Sequence, residues 1–469
     1  MDHSVQAASR RAKLGLALAA GCMLLFSLLP VPQGLTRAGM QSTGIFLCAI
    51  LLWVTEALPI CVTAIGLCVL MPLFHIMSYN DVLSKFGAGT VLFIMATSGI
   101  TIALTRTTIP LRITAAIIRL TKGRASWIIL GFCAVSALLS GIMSSLATCA
   151  LFFGIVNTML KTALCRPGES RLGKALMIAL PVSCGVGGFL TPAGTPGNVL
   201  MMELAGGYGI HIIFAQWTAV GFPIGMLTVL LAALWLPVVF RPEDVPAASQ
   251  ELIFAQRSKL GPWTAYEKKT VAVIAAMLAC WFLGSWVSFL NTTTVAVLGM
   301  AVMFLPGVEL MDWKTFHSEC DWNLVFIMGT ASILVSGVSA TGAMDWLVNL
   351  LFSGIGTLPA WLMWVVISIL VCVLRAFIPT TTAVIALFAP MLYSIAAITG
   401  ANPAAMLMIP AFWAPAAMLM LYTEPIYLIT FGEGYYTQGD LLKFGWLPSL
   451  VMAVVTALAF PVLMPALGF

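Results

Sequence analysis

The stretch GVGGFLTPAGTPGN, residues Gly185–Asn198, decides the fold. It lies inside an apolar run, 173–204, that is long enough to cross a bilayer. Proline and glycine at this density cannot sit in an unbroken helix. Unwound backbone at bilayer depth is tolerated only where other protein or a water-filled cavity receives it. The stretch therefore predicts a helix that is broken in the middle of a membrane, beside a cavity.

The rest of the chain is apolar in the same way. Of its 469 residues, 61% are hydrophobic and 8% are charged, whereas a soluble domain carries about a quarter charged residues. Apolar runs of membrane-spanning length recur from end to end and do not alternate, so helices rather than a β-barrel are expected. The composition predicts an all-α polytopic membrane protein whose partner is the lipid bilayer, and no basic stripe suggests a nucleic-acid partner.

Three further apolar runs are interrupted. The runs 126–162 and 358–398 are too long for one crossing and are broken by GIMSSLAT and by RAFIPTTTA. Each half is about 15 residues, which is short of a full span. Both runs therefore predict re-entrant helical hairpins, and two ordinary crossings with a tight turn are the alternative. The run 403–430 breaks at its YTEP sequence, as the first broken helix does at its own prolines.

A hairpin followed by a broken helix occurs twice, which predicts about eleven transmembrane helices and two hairpins in two inverted repeats. The predicted domains are an N-terminal segment with the first helix at 1–38, the first repeat at 39–240, a cytoplasmic linker at 241–268 and the second repeat at 269–469. A cytoplasmic N-terminus places most lysines and arginines on the cytoplasmic side, as the positive-inside rule requires. We expect a multi-pass protein of a cell membrane, the inner membrane in a prokaryote.

Hydroxyl side chains are concentrated at the tips of both hairpins. Helices that begin after the tips would direct unpaired N–H groups and positive dipole ends at a shared anion. Ser and Thr also cap helices by default, which is the alternative interpretation. Two matched tips favour a small anion with two charged groups. The candidate residues at the tips are Ser144, Ser145, Thr148, Thr380, Thr381 and Thr382.

Arg375 lies at bilayer depth near the end of the first half of the second hairpin. An ionisable residue at that depth is costly and marks a functional hypothesis, and a helix end that exposes carbonyls favours a cation. The guanidinium can act on a bound dianion, or it can pair with Glu424 and serve stability. The pair itself is compatible with both roles.

Two motifs resemble those of a known family. WVTEALPICVTA (Trp53–Ala64) and the stretch Gly185–Asn198 are similar to hallmarks of the divalent-anion/sodium symporter (DASS) family, and the order of hairpins and broken helices matches along nearly the whole chain. The resemblance implies an elevator-type, homodimeric carrier of dicarboxylates, citrate or sulfate. Both hairpins and both broken helices would form its moving domain. Glu56, in the first motif, is expected to cap a helix or to form an interfacial ion pair.

The resemblance also implies the remaining residues of the site. Besides the hydroxyl tips, the substrate-binding candidates are Gly194, Thr195, Pro196, Asn198, Arg375 and Thr423, with Glu424 as a charge partner. The candidate ion-site residues are Ser140, Ser144, Ser145 and Gly194. Both tips lack the asparagine of the family's Ser-Asn-Thr sequence, and the family holds its second sodium ion close to the position of Arg375.

These departures shape the functional expectation. The expected function is exchange of C4–C5 dicarboxylates or related dianions, with Arg375 in place of a sodium ion. The alternatives are a sodium-coupled dicarboxylate or sulfate symporter and, in another class, an anion channel. We predict no enzyme, catalytic residue or metal site, because the sequence contains no HExxH motif, no Ser–His pair and no cysteine cluster. Na+ as a coupling ion is the one candidate cofactor.

Overall fold

The computed structural model describes residues 2–55, 57–245, 261–343, 346, 360–375, 381–416, 418–421 and 424–468. Glu56, Thr380, Thr423 and most of the predicted linker lie outside the described residues. The described part of the chain is helical throughout, without a strand.

The helices of the N-terminal half are α1 (Asp2–Leu28), α2 (Arg37–Thr55), α3 (Ile60–Leu73), α4 (Tyr79–Phe86), α5 (Gly89–Thr105), α6 (Ile109–Thr121), α7 (Ala125–Ser140), α8 (Ser145–Thr162), α9 (Arg171–Gly187), α10 (Pro196–Gly207) and α11 (Phe214–Phe240). The helices of the C-terminal half are α12 (Ala265–Leu283), α13 (Thr292–Met303), α14 (Trp313–Glu319), α15 (Trp322–Ala340), α16 (Ala360–Arg375), α17 (Thr381–Thr399), α18 (Pro403–Trp413), α19 (Pro425–Phe431) and α20 (Gln438–Ala466).

The apolar surface shows which solvent surrounds these helices. Among the described residues, five helical segments are long and apolar enough to cross a membrane: Tyr79–Thr105, Ser145–Thr162, Phe214–Phe240, Trp322–Ala340 and Gln438–Ala466. Large apolar side chains point outward, such as Leu234 on α11, which is 61% exposed, and Val462 on α20, which is 69% exposed. Apolar surface on this scale suits lipid rather than water. The predicted all-α polytopic membrane fold is confirmed, while the number of crossings stays a prediction.

Each predicted hairpin corresponds to two consecutive helices, of which the first is short for a bilayer. The arms of the first are α7, with 16 residues, and α8, with 18. The arms of the second are α16 and α17, which flank residues 376–380 outside the described part. A helix of 16 residues is about 24 Å long, whereas the hydrocarbon core is about 30 Å thick. The 16-residue arms α7 and α16 fit helices that end inside the membrane, whereas α8 is long enough to cross it, so the re-entrant hairpins stay a prediction.

Both predicted helix breaks occur where glycine and proline demand them. The helix α9 ends at Gly187, and Gly188 forms its C-cap. Eight residues later α10 begins with Pro196, whose missing N–H costs nothing at the first helical position. In the second half, α18 ends at Trp413 and α19 likewise begins with a proline, Pro425.

The two broken helices pack reciprocally. The second part of the first broken helix, α10, packs against α17 and α18 of the other half. The second part of the second broken helix, α19, packs against α8 and α9. In each half, the second part of the broken helix therefore packs against the second hairpin arm and the first part of the broken helix of the other half. Such reciprocity fits two structural repeats related by a two-fold axis, although the predicted domain limits remain predictions.

The described helices fall into two packed groups. One group, which we call the hairpin unit, comprises α7–α11 and α16–α20 and holds both hairpins and both breaks. The other group, the scaffold helices, comprises α1–α5 and α12–α15. The helix α6 connects them along the chain and packs against α7 and α8. Each of the six ion pairs among the described residues joins residues within the hairpin unit or within the scaffold helices and α6.

Candidate functional site

The first hairpin tip and the first helix break form one unit. The Ser140 hydroxyl donates to the Cys184 carbonyl oxygen at 2.6 Å and lies 3.0 Å from the Ser145 hydroxyl oxygen. A methyl group added to Gly194 would lie 2.7 Å from the Ser140 carbonyl oxygen, and one added to Gly188 would lie 2.5 Å from Ser145 Oγ. Only glycine permits these approaches. The structure thus brings Ser140, Ser145 and Gly194, three of the four predicted ion-site residues, close together.

Asn198 holds the break in shape. Its amide nitrogen donates to the carbonyl oxygens of Gly188 at 2.7 Å and Thr191 at 2.8 Å, and its Oδ1 accepts from the Thr195 hydroxyl at 3.0 Å. The Thr191 hydroxyl in turn donates to the Gly141 carbonyl oxygen at the hairpin tip. Both amide hydrogens of this fully buried asparagine are used inside the protein. Asn198 therefore positions the loop and has no donor left for a ligand.

The starts of the site helices lack side-chain caps. Ser144 is the N-cap of α8, Thr195 of α10 and Glu424 of α19, and none of these side chains accepts a hydrogen bond from the first turn of its helix. Eight helices elsewhere are capped in that way, by Ser78, Ser170, Thr264, Asn291, Asp312, Asp321, Asn402 and Thr437. The capping interpretation therefore does not apply to Ser144 or Thr195. Uncapped first-turn N–H groups are the usual basis of anion binding at helix starts, and α5, α6 and α7 also begin without a side-chain cap.

Arg375 occupies the corresponding place in the second half. It is fully buried, and its Nε donates to the Ala414 carbonyl oxygen at 2.9 Å. Its Nη2 donates to Glu424 Oε1 at 2.6 Å, and the Thr381 hydroxyl donates to the same carboxylate oxygen. Ala414 is the C-cap of α18 and Arg375 the last residue of α16. The guanidinium therefore sits between two helix ends that expose carbonyl oxygens, and a carboxylate balances its charge.

The helix starts of the two halves meet in pairs. A methyl group added to Gly197, in the first turn of α10, would lie 3.0 Å from Thr381 Cγ2, in the first turn of α17. In the reciprocal position, Cys149 Sγ on α8 lies 3.6 Å from the Ile426 carbonyl oxygen on α19. A break from one half is thus seated on a hairpin tip from the other at both places. Each of these two contacts brings together helix starts from both halves of the chain.

The other predicted residues take less direct positions. Thr148 is fully buried and its hydroxyl donates to the Ser144 carbonyl oxygen at 3.0 Å, so that it stabilises its own helix. Thr382 is buried beside Thr381, and Pro196 is the first residue of α10. Among the described residues, no group of three His, Cys, Asp or Glu side chains could hold a metal ion.

Three residues of the site are not identified by the sequence analysis. Thr191 links the break to the hairpin tip, Ala414 accepts from the guanidinium, and Thr101 Oγ1 on α5 accepts from the backbone N–H of Ser144 at 3.3 Å. Thr191 lies within the proline- and glycine-rich stretch, so its place in the sequence could have indicated a role in the site. The backbone carbonyl of Ala414 and the helical Thr101 have no such indication in the sequence.

Ion pairs at one rim of the hairpin unit join its two halves. Lys161 on α8 lies 3.7 Å from Glu433, and Lys174 Nζ on α9 lies 2.9 Å from Asp440 Oδ1 on α20. These pairs help the two repeats to behave as one body.

Comparison with known proteins agrees with this architecture. The family described as "Sodium:sulfate symporter transmembrane region" matches residues 9–467. The sodium-dependent dicarboxylate transporter SdcS of Staphylococcus aureus (strain USA300) is 27% identical over 478 residues, which cover 96% of this chain and 91% of the relative. SdcS of strain MRSA252 matches with the same identity and coverage. The chain belongs to the sodium:sulfate symporter family of membrane transporters.

Proposed function

We propose that this protein is a secondary active carrier that exchanges small dianions, C4–C5 dicarboxylates above all, with the guanidinium of Arg375 in the place of a coupling cation. The hairpin unit would carry the anion across the membrane past the scaffold helices. The supporting observation is the fully buried Arg375, 2.9 Å from the Ala414 carbonyl oxygen and 2.6 Å from Glu424 Oε1.

The surroundings of Arg375 are those of a cation site. The end of α18 offers a carbonyl oxygen, and Glu424 and Thr381 offer further oxygens within the same cluster. Hard cations such as sodium are held by oxygen ligands of this kind. A guanidinium that is covalently attached fills that place permanently. An empty carrier of this type cannot release its cation, which favours obligatory exchange over symport.

The ion pair changes the expected source of anion attraction. Arg375 brings one positive charge and Glu424 one negative charge, so the pair adds no net charge to the site. We therefore assign the attraction of a dianion to the uncapped helix starts at Ser144 and Thr195 rather than to a free guanidinium. Two tips that come from opposite halves suit a solute with an anionic group at each end.

The second candidate function is sodium-coupled symport of dicarboxylates or sulfate. The oxygens of Ser140, Ser145 and Gly188 cluster at the first tip and could ligate one sodium ion. The relatives from Staphylococcus aureus are named as sodium-dependent dicarboxylate transporters. Under this alternative one sodium ion at the first tip drives uptake, and the Arg375–Glu424 pair takes the place of the second sodium ion.

Counterflow in proteoliposomes tests the proposal. Vesicles loaded with succinate should take up labelled succinate, with and without sodium, and uptake without an internal dianion should be slow. The variant R375A should lose sodium-independent exchange, whereas R119M, which removes an exposed arginine on α6, should keep it. Exchange by R375A that requires sodium, unlike that of the wild type, would also support the proposal that the Arg375 guanidinium takes the place of a sodium ion. Unchanged exchange in R375A would refute it, and strict sodium dependence of the wild type would favour symport.

Related measurements separate the remaining alternatives. A channel would pass current without an internal dianion, whereas a carrier shows slow flux that an internal dianion stimulates. Competition by sulfate against succinate identifies which dianion is preferred. A homodimer in a cell membrane, with the N-terminus in the cytoplasm, is also part of the proposal, and cross-linking and labelling of added cysteines in whole cells test it.

A further inference from the structure

Glu203 on α10 is an isolated ionisable residue. The helix α10 packs against α5, α15, α17 and α18. None of those four helices contains an Asp, Glu, Lys, Arg or His within its helical span, and α10 itself contains only Glu203. A carboxyl group among five such helices in a membrane protein is costly and calls for a function. The dianion site at the start of α10 does not use it.

The partner of this carboxylate lies across the boundary between the two groups of helices. The buried Thr90 hydroxyl, in the first turn of α5, donates to Glu203 Oε2. Lys85, in the last turn of α4, is the positively charged residue that acts on the carboxylate. His211 lies near the other end of α10, because a methyl group added to Gly206 would be 3.9 Å from its Nδ1. Tyr393 on α17 also faces this end of α10, where its ring stacks on that of Tyr208, the C-cap residue, at 3.9 Å between centroids.

The same scaffold helix also contacts the first hairpin tip. Thr101 Oγ1 accepts from the Ser144 backbone N–H at 3.3 Å. Thr90 and Thr101 are eleven residues apart, which is close to three helical turns, so they lie on one face of α5 about 16 Å apart along its axis. The hairpin unit is thus held to α5 at two polar points, one of which includes an ionisable side chain.

Movement of the hairpin unit along α5 must break both contacts at once. The backbone N–H of Ser144 is neutral and can find another hydroxyl or water. An ionised Glu203 would lose its hydroxyl donor among apolar helices, where an unpartnered charge is strongly disfavoured. A protonated carboxyl carries no charge and is no longer attracted by Lys85. Neutralisation therefore removes the largest electrostatic obstacle to sliding.

We propose that Glu203 is a proton-binding site of the carrier and that the hairpin unit moves along α5 with this carboxyl protonated. The inference rests on the proposed function, because it needs the hairpin unit to move. The proton binds the carboxylate from the aqueous phase and neutralises it, so that the bond from Thr90 becomes weaker; it crosses with the unit and can dissociate afterwards. In one-for-one exchange the proton crosses in both directions, so the rate depends on pH without net proton transfer.

Dianion counterflow with the same pH on both sides of the membrane tests this. Wild-type exchange should fall by up to about tenfold per pH unit above the midpoint, as expected for one required proton. E203Q, a permanent neutral mimic, should exchange at the rate of the acidic wild type and keep that rate as the pH rises. E169Q, which neutralises an exposed glutamate between α8 and α9, should retain the wild-type profile. Titration of the substrate itself affects all three proteins equally, so the difference between their profiles isolates the side chain.

A second variant keeps the proposal testable if E203Q does not fold. T90V keeps the carboxyl but removes the hydroxyl that stabilises its ionised form, so the midpoint of the pH profile should move to higher pH. A wild-type profile in E203Q or an unmoved midpoint in T90V would overturn the proposal. Absence of any dianion exchange in the wild type would instead overturn the proposed function, so the two failures are distinguishable.

Discussion

Replacing Arg375 alone should destabilise the protein more than replacing both members of its ion pair. With 2.6 Å between Nη2 and Glu424 Oε1, two unit charges attract by about 6 kcal/mol at an effective dielectric constant of about 20. R375M leaves a mostly buried carboxylate without its cation, which costs about 3–5 kcal/mol. The double variant R375M/E424Q leaves no charge, so its cost should be about 1–3 kcal/mol, for the unpaired Ala414 carbonyl oxygen.

Thermal unfolding of the detergent-solubilised protein, followed by tryptophan fluorescence, measures these differences. An unfolding entropy of about 2 cal/mol/K per residue gives roughly 1 kcal/mol/K for 469 residues, so R375M should lower the midpoint by about 3–5 °C. R119M, at an exposed arginine, should change it by less than about 1 °C. The double-mutant cycle formed by R375M, E424Q and R375M/E424Q should give an interaction energy of at least about 2 kcal/mol between the two side chains. Additive effects of R375M and E424Q would refute the argument that the two side chains stabilise each other.

Three further predictions concern the site and its support. G197A would place a methyl group 3.0 Å from the second hairpin tip and should raise the KM for the dianion about tenfold, whereas G207A, which meets open space on the same helix, should leave it unchanged. N198A removes three hydrogen bonds that hold the break and should lower stability by about 2–5 kcal/mol, measured as the unfolding midpoint. Hydrogen bonds from Thr108 lower the pKa of the Glu267 carboxyl from 4.5 to about 2. The ionised carboxylate therefore contributes fully to folding stability above pH 4.5, and this contribution is lost as the pH falls toward 2. E267Q should remove this acid sensitivity of the unfolding midpoint.

Each of these has a result that would contradict it. Equal KM values for the two glycine variants would show that the start of α10 does not need its close approach to the tip. An unchanged midpoint in N198A would mean that the loop is held by other contacts. If the unfolding midpoint of E267Q showed the same sensitivity to acid as that of the wild type, the pH dependence would belong to other carboxyl groups.

The ends of the interrupted helices could be predicted because local backbone chemistry sets them. Glycine at 188 and prolines at 196 and 425 stop or start a helix whatever surrounds them. The predicted breaks in 173–204 and 403–430 therefore correspond to gaps between observed helices. The role of Asn198 could not be predicted in the same way, because three hydrogen bonds within the break already use its amide.

The sequence by itself determined that this chain belongs in lipid, that it is helical and that two helices break where prolines and glycines stand, because composition and backbone chemistry act locally. It also singled out Arg375 as a charge in an apolar run. Only the tertiary structure decided that Glu424 neutralises this charge, that the helix starts at Ser144 and Thr195 stay uncapped, and that Glu203 meets Thr90 on a scaffold helix. Those contacts join residues far apart in the chain, and no local preference specifies which side chains will meet when helices pack.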